Sequence, residues 1–365
     1  MRLATFNVEN LFRRPVVLDQ PSWADGREQV NDYNKFNGII SKASYSGTDK
    51  KCIVDFLDRY EMADRRIGAG DPFQLNEVRG KLFKVPKGKT KPEIIADGHG
   101  DWDGWLELRR HNVNHVAIEN TARVVEELSA DVVAVVEAED RIALQRFHDG
   151  YLVPRGVGFM YNMLIDGNDK CGIDVGLYSK QPIRSIHSNI GLGLPGERTF
   201  SRDCAEFGIE TPAGDTIWVL VNHFKSKGYG SASSSNARRE KQAEAVAEIY
   251  RNRVAHNPKV AVGRRPQRHA RQRTAGAAGQ QTDLEDVMSH PRYLSGNDRR
   301  PGTYGSGAKS NKIDYLLLSP ALWTTVSAVG VERRGVWASP TFPHFPEIAG
   351  AVAASDHAAV WVDLQ

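Results

Sequence analysis

Residues 131–137 read Asp-Val-Val-Ala-Val-Val-Glu. A run of valines without polar alternation suits a strand that is covered on both faces, because a strand with one wet face alternates apolar and polar residues. A chain holding such a strand must build layers on either side of it. The run ends abruptly in Glu137-Ala138-Glu139-Asp140, so acidic groups stand where a buried strand meets solvent.

The remaining patterning agrees with a layered α+β protein. Leu3–Val8, Val175–Tyr178, Val260–Val262, Tyr315–Leu318 and Ala358–Val362 read as strands. Cys204–Ile209 and Thr216–Val221 read as a strand pair across the turn Thr211-Pro212-Ala213-Gly214-Asp215. Helical spacing places Val124, Val125 and Leu128 on one face of 118–128, and Ala243, Val246, Ala247 and Tyr250 on one stripe of 237–251. Ser231–Ser235 reads as a flexible loop. Many strands with few helices favour two packed sheets with helices outside.

The stretch from about 13 to 117 is polar and irregular, apart from helical spacing over Ile53, Phe56, Leu57 and Tyr60. No linker composition brackets it, so it reads as an insertion within a single domain spanning 1–365. Its Trp23, Trp102 and Trp105 are packing residues by default, with a share in a specificity surface as the alternative. With 365 residues and 40% hydrophobic content, the chain has material for a sizeable core.

Several function classes drop out. No apolar run reaches membrane-spanning length. No secretory signal follows Met1, so the mature protein is expected to begin there. Cys52, Cys171 and Cys204 lie far apart without a Cys-x-x-Cys, which argues against a disulfide framework and a thiolate zinc site and favours a cytoplasmic setting.

Several strands end in groups of one chemical kind: Asn7-Val8-Glu9-Asn10, Glu137, Asn222-His223, and Ser355-Asp356-His357 before the last strand. Carboxylates and amides are the oxygen donors that a hard divalent cation prefers. Histidines supply proton transfer near neutral pH. Singly each has an ordinary explanation: a solvated turn glutamate, an Asx-turn at Asn7, a backbone-satisfied His223, a turn at Asp356-His357. Jointly they describe a site.

In order along the chain, Thr-Phe-Asn-Val-Glu-Asn-Leu (5–11), Asp-Val-Val-Ala-Val-Val-Glu (131–137), Val-Asn-His-Phe-Lys-Ser (221–226), Lys-Ile-Asp-Tyr-Leu-Leu-Leu-Ser (312–319) and Ser-Asp-His (355–357) resemble the motifs of the endonuclease/exonuclease/phosphatase superfamily. The resemblance spans nearly the whole chain except 13–117. It implies a four-layer α/β sandwich of two packed mixed β-sheets with helices outside, as in deoxyribonuclease I, and a Mg²⁺ or Mn²⁺ cofactor. Carried over by position, it makes Glu137 the principal metal ligand, with Asn7 beside it and Asp356 assisting the metal or the water. It makes His357 the general base, Asp314 its orienting partner and His223 a phosphate contact. Arg202 and Asn222 would bind substrate, the alternative for Arg202 being a surface salt bridge.

The family's Gly-Asp-x-Asn motif is missing. After the strand ending at Gly263 comes Arg264-Arg265-Pro266-Gln267-Arg268-His269-Ala270-Arg271-Gln272-Arg273. Clustered cations would oppose a metal. If these residues were encoded by GC-rich codons, removing one base after the Gly263 codon would restore Gly-Asp-Asp-Pro-Asn-Asp-Thr-Pro-Asp-Ser, and the expectation is that 264 to about 280 are a frame-shifted stretch. It would also remove five arginines and add four aspartates, turning the formal charge of +3 negative, so the apparent basicity is no argument for nucleic-acid binding. The expected function is phosphodiester hydrolysis of a nuclease-like kind, with DNA as a possible substrate and activity impaired as the chain stands. The alternatives are an inactive module of the same fold that binds anionic partners, and a lipid or inositol phosphate phosphatase.

Overall fold

A computed structural model describes residues 1–11, 23–63, 66–68, 72–109, 114–169, 173–194, 197–224, 232–265, 282–293, 300–337 and 342–365. The chain divides into two compact units, Met1–Phe12 with Val113–Gln365, and Arg13–Asn112.

Two six-stranded mixed sheets form the larger unit. Its main strands are β1 (Arg2–Leu11), β2 (Val132–Ala138), β3 (Tyr161–Leu164), β4 (Asp174–Ser179), β5 (Ile183–His187), β6 (Cys204–Glu210), β7 (Thr216–His223), β8 (Val260–Arg265), β9 (Glu285–Asp286), β10 (Tyr315–Leu318), β11 (Val326–Glu332) and β12 (Ala359–Leu364). The first sheet runs β11-β12-β1-β2-β4-β3 and the second β9-β10-β8-β7-β6-β5. Each has a parallel pair at its centre, β1 with β2 and β7 with β8, and antiparallel neighbours outside it. A parallel pair needs a crossover. Helix α1 (His115–Leu128) precedes β2, and α2 (Ala232–Val254) joins β7 to β8.

Side-chain alternation builds the layers. Along the valine run, Val132, Ala134 and Val136 face the second sheet, in a core shared with Val219, Val221, Ala261 and Leu316. Val133 and Val135 face outward and pack with Val124, Val125 and Leu128 of α1. On the second sheet, Leu220, Val260 and Val262 face outward against Ala243, Val246 and Tyr250 of α2. The result is helix, sheet, sheet, helix, which is the four-layer sandwich expected from the motifs.

The structure corrects two local expectations. Ala232–Ser235 belongs to helix α2 rather than a loop; the stretch contains no Gly or Pro to stop a helix. The 13–117 stretch is not irregular: its helices Trp23–Ile40 and Gly47–Arg59 and its paired strands Phe73–Arg79 and Asp103–Leu108 enclose a core of Phe36, Ile53, Leu57, Phe73 and Trp102. Ser46 and Asp49 form a reciprocal capping box at the second helix. Trp102 is buried and donates to the Tyr45 hydroxyl, whereas Trp105 is about half exposed. The Trp23 side chain and Cys171 lie outside what is described; Cys52 and Cys204 are free thiols. No described helix is long and apolar enough to cross a membrane.

Candidate active site

The two parallel pairs point their C-terminal ends to the same edge of the sandwich. There β1 delivers Asn7, β2 delivers Glu137 and β7 delivers Asn222 and His223. β12 and β10 run antiparallel to their neighbours, so their N-terminal ends bring Asp356-His357 and Asp314 to that edge.

Two polar pairs then span the sheets. His357 of the first sheet places Nδ1 2.8 Å from Asp314 Oδ2 at the head of the second. Glu137 of the first places Oε1 3.4 Å from His223 Nε2 of the second. All four side chains are buried. The other ring nitrogen of His357 faces Asp356 Oδ1 at 3.4 Å, and that carboxylate is 40% exposed. The imidazole therefore has one nitrogen on a buried carboxylate and the other beside a partly exposed one, an arrangement suited to a general base.

Backbone irregularity aims Glu137. Val136 pairs with Val175 and Ala138 with Asp174, leaving Glu137 as the extra residue of a bulge, with φ of 68°. A left-handed non-glycine residue inside a strand is strained and persists where its surroundings hold it. Bulges re-aim side chains in this way beside active sites. A second such residue, Glu9 (φ 51°), sits where β1 loses register with β2. Glu9 Oε2 accepts from the Asp356 amide at 2.9 Å. Ser355 Oγ donates to the Asn7 carbonyl and accepts from the His357 amide. These bonds tie the 355–357 segment to the end of β1.

Asn7 is an Asx-turn former as well as a site residue: Oδ1 accepts from the Glu9 amide at 2.9 Å. Its Nδ2 is buried without a hydrogen-bond partner among the described residues. A buried donor of this kind suits an acceptor such as a phosphate oxygen or a metal-bound water. Ligation through Oδ1 would release Glu9. Asn222 is fully buried and its Nδ2 donates to the Gly263 carbonyl at 3.2 Å, so what it offers a ligand is its open Oδ1. Arg202 is only 8% exposed and pairs with Asp169 at 2.6 Å, so the surface salt bridge is in fact a buried one. Beside it Asp174, in register with Ala138, has its carboxyl pushed up to about 7 by burial, with Asp166 and Asp169 adding repulsion and Arg202 opposing it. The structure thus brings together Asn7, Glu137, His223, Asp314, Asp356 and His357. Arg202 is engaged in the neighbouring acid cluster.

Sequence reading passed over Thr303 and Tyr304 and gave Glu9 no role beyond its place in Asn7-Val8-Glu9-Asn10. The Thr303 hydroxyl donates to Asp314 Oδ2 at 2.5 Å, and the Tyr304 ring lies edge-on to His357 at 5.1 Å. The dipeptide Thr-Tyr sits eleven residues ahead of Asp314 in a glycine-rich loop, and only the fold makes it a neighbour.

Among the described residues, no group of three or more His, Cys, Asp or Glu side chains is placed to hold a metal ion. A sparse oxygen set is compatible with Mg²⁺, which keeps several waters and takes one or two carboxylates plus substrate oxygens. Glu137 and Asp356, brought to the same edge of the sandwich, are carboxylates of that kind. The arginine-rich stretch after Pro266 lies outside the described residues. The Arg264 and Arg265 backbones continue β8 in register with Asn222 and His223, at the edge of the site.

No protein-family model matches the chain, and no curated protein matches it. Solved structures similar to it include an endonuclease/exonuclease/phosphatase family protein from Bacteroides thetaiotaomicron, at 14% identity over 67% of this chain and 85% of that one, with a TM-score of 0.49. Truncated TDP2 from Caenorhabditis elegans is similar at 14% identity over 67% and 88%, with a TM-score of 0.43. A mannosyl-6-phosphatase from Bacteroides thetaiotaomicron VPI-5482 is similar at 14% identity over 68% and 90%, with a TM-score of 0.47. Likenesses of this size leave the chemistry to the chain's own residues.

Proposed function

We propose that the chain is a divalent-metal-dependent phosphoesterase that hydrolyses phosphodiesters in a nuclease-like way, impaired by the loss of the acid-and-amide loop after Gly263. The observation behind this reading is the His357–Asp314 pair, joined across the two sheets at 2.8 Å, beside Glu137, His223 and the open Asn7 amide.

The chemistry follows from the side chains. A phosphodiester is anionic and repels hydroxide, so water must be activated where it attacks. His357 takes the proton of that water at Nε2, and Asp314 holds Nδ1 and stabilises the imidazolium. As the new P–O bond forms, the bond to the leaving oxygen breaks, and that oxygen departs after taking up a proton. His223 and the Asn7 amide nitrogen face the charge that develops on the phosphoryl oxygens. Glu137, with Asp356, would hold Mg²⁺ or Mn²⁺. A bound ion would neutralise the phosphate and polarise the P–O bond.

The test is hydrolysis of plasmid DNA and of a bis-aryl phosphate with Mg²⁺ or Mn²⁺, set beside Glu137→Ala and His357→Ala. Metal-dependent cleavage lost in both variants supports the reading. Salt-sensitive DNA binding without cleavage would replace it with an anion-binding module, which the Arg264–Arg265 register favours. Cleavage confined to lipid or inositol phosphates would keep the reaction and move the substrate.

A further inference from the structure

We propose that the ribbon running from Arg79 to Glu93 in the inserted unit is a contact surface for the phosphate backbone of a nucleic acid. It adds a binding surface to the hydrolytic centre of the larger unit and does not depend on it.

Charge is the first observation. Between Arg79 and Glu93 stand six basic side chains, Arg79, Lys81, Lys84, Lys87, Lys89 and Lys91, and one acidic one. The stretch is more positive than the whole chain, whose formal charge is +3, and it owes nothing to the arginines after Gly263. All six basic residues are exposed. Lys84 lies 3.5 Å from Glu93 and Lys91 3.4 Å from Asp58. Exposed pairs of this length neutralise their partners weakly. Asp103 stands opposite Arg79 in the neighbouring strand. Lys81, Lys87 and Lys89 form no ion pair among the described residues.

The second observation is order. A run of lysines on a loose tail is usually a solvated chain. Here the apolar residues of the same stretch anchor it. Leu82 and Phe83 are fully buried in the core of the inserted unit, with Val85 and Ile94 packed against that core. Phe83 pairs with Ile94 and Lys84 with Glu93 as two short antiparallel strands. The Leu82 carbonyl accepts the amides of Ile95 and Ala96, and the Leu82 amide donates to Glu77. The Arg66 guanidinium lies 4.0 Å over the Phe83 ring. At the tip the Lys89 amide donates to the Pro86 carbonyl. Gly88 takes the left-handed conformation that this turn requires, at φ of 79°, with Lys87 and Lys89 on either side of it. Folding thus fixes like charges beside one another, at a cost in repulsion that a polyanion removes.

The third observation selects the polyanion. A surface that enters a lipid interface brings apolar side chains with it. The tip has none: residues 87–91 read Lys-Gly-Lys-Thr-Lys, and the exposed Val78 and Ile95 flank the ribbon in sequence. Lysine meets phosphate oxygens as a point charge without reading bases, so the contact is independent of sequence. Repeated cations along one ribbon match a ligand with repeated phosphates.

The test uses the full chain in EDTA, so that binding is read without metal-dependent cleavage. The anisotropy of a fluorescein-labelled DNA duplex of mixed sequence is followed from about 50 to 200 mM salt. Each lysine on a phosphate adds about 0.9 to the steepness of log affinity against log salt. Lys81→Gln, Lys87→Gln and Lys89→Gln together are expected to flatten that slope by about 2 to 3. They should also weaken binding about tenfold or more at the lowest salt, and equally on a second sequence. A control removes the same charge elsewhere through Lys35→Gln, Lys51→Gln and Arg146→Gln, three exposed cations outside the ribbon, and is expected to keep the native slope. An unchanged slope in the ribbon variant, or an equal loss in the control, overturns the proposal. A native chain that binds no DNA overturns it as well, and binding to phosphatidylserine vesicles would then move the partner to a lipid surface. Cleavage is decided apart from this: a chain that binds DNA through the ribbon and hydrolyses no bis-aryl phosphate upholds the ribbon and overturns the proposed function.

Discussion

His357 and Asp314 belong to different sheets, yet Nδ1 and Oδ2 meet at 2.8 Å with both side chains buried. The pair acts as a unit, so its loss should be non-additive. Asp314→Asn keeps the shape but removes the carboxylate that orients the ring, and kcat is expected to fall about 10²-fold or more. The double variant with His357→Ala should be no slower than His357→Ala alone. Steady-state kinetics on one substrate check this, and losses that multiply would dissolve the unit.

Glu137 makes a test of backbone strain. Glycine in a strand is ordinarily about 0.5–1 kcal/mol worse than alanine. At φ of 68° the order should reverse, because alanine keeps the left-handed penalty of about 1 kcal/mol and glycine does not. Glu137→Gly is therefore expected to unfold at higher urea than Glu137→Ala, with both lacking hydrolysis. A more stable alanine variant would remove the claim that Glu137 is held under strain.

How much of this was legible beforehand depends on the range of the interactions. The valine run, the α2 stripe and the strand ends are local patterns, and Asn7, Glu137, His223 and His357 could be picked from them, whereas Asp314 came only with the motif resemblance. Thr303 came from neither, because its bond to the Asp314 carboxylate that meets His357 exists only once both sheets have formed. Glu137's left-handed backbone was equally hidden, since a glutamate does not advertise positive φ as a glycine does. The 13–117 stretch misled for another reason. Its core draws single apolar residues from elements separated by polar loops, as when Trp102 reaches Tyr45, so no window shows a strong period.

Asp174 should make stability fall as pH rises. Its folded carboxyl is pushed up to about 7 by burial, against an ordinary value of 3.8. Between those values the unfolded chain has released the proton and the folded chain retains it, so protons favour folding there. The contribution is present below pH 4, is lost as pH rises toward 7 and is flat above. Each tenfold difference in proton affinity between the two states is worth about 1.4 kcal/mol, which makes the contribution on the order of a few kcal/mol. Asp174→Asn keeps an oxygen for the Gly167 amide that Oδ1 now accepts. Urea unfolding of metal-free protein from pH 4 to 8 should therefore show a decline in the native chain that is much reduced in the variant. Parallel curves for the two would sink the assignment.

The residues after Gly263 offer the sharpest comparison. Arg264 and Arg265 stand in register with Asn222 and His223, where the resembled family places acids and an amide. Pro266 is common to the two reading frames, so the first three differences are Arg264→Asp, Arg265→Asp and Gln267→Asn. Two effects point the same way. Exchanging two cations for carboxylates removes repulsion felt by a divalent ion and adds oxygen donors of the kind it prefers. The triple variant is expected to cleave a bis-aryl phosphate at least 10²-fold faster than the native chain and to reach half-maximal rate at lower Mg²⁺. Resequencing the gene supplies the independent arm: a clean read through these codons makes the loss a property of the protein. Equal rates in the two proteins would show that the edge of β8 takes no part in the reaction.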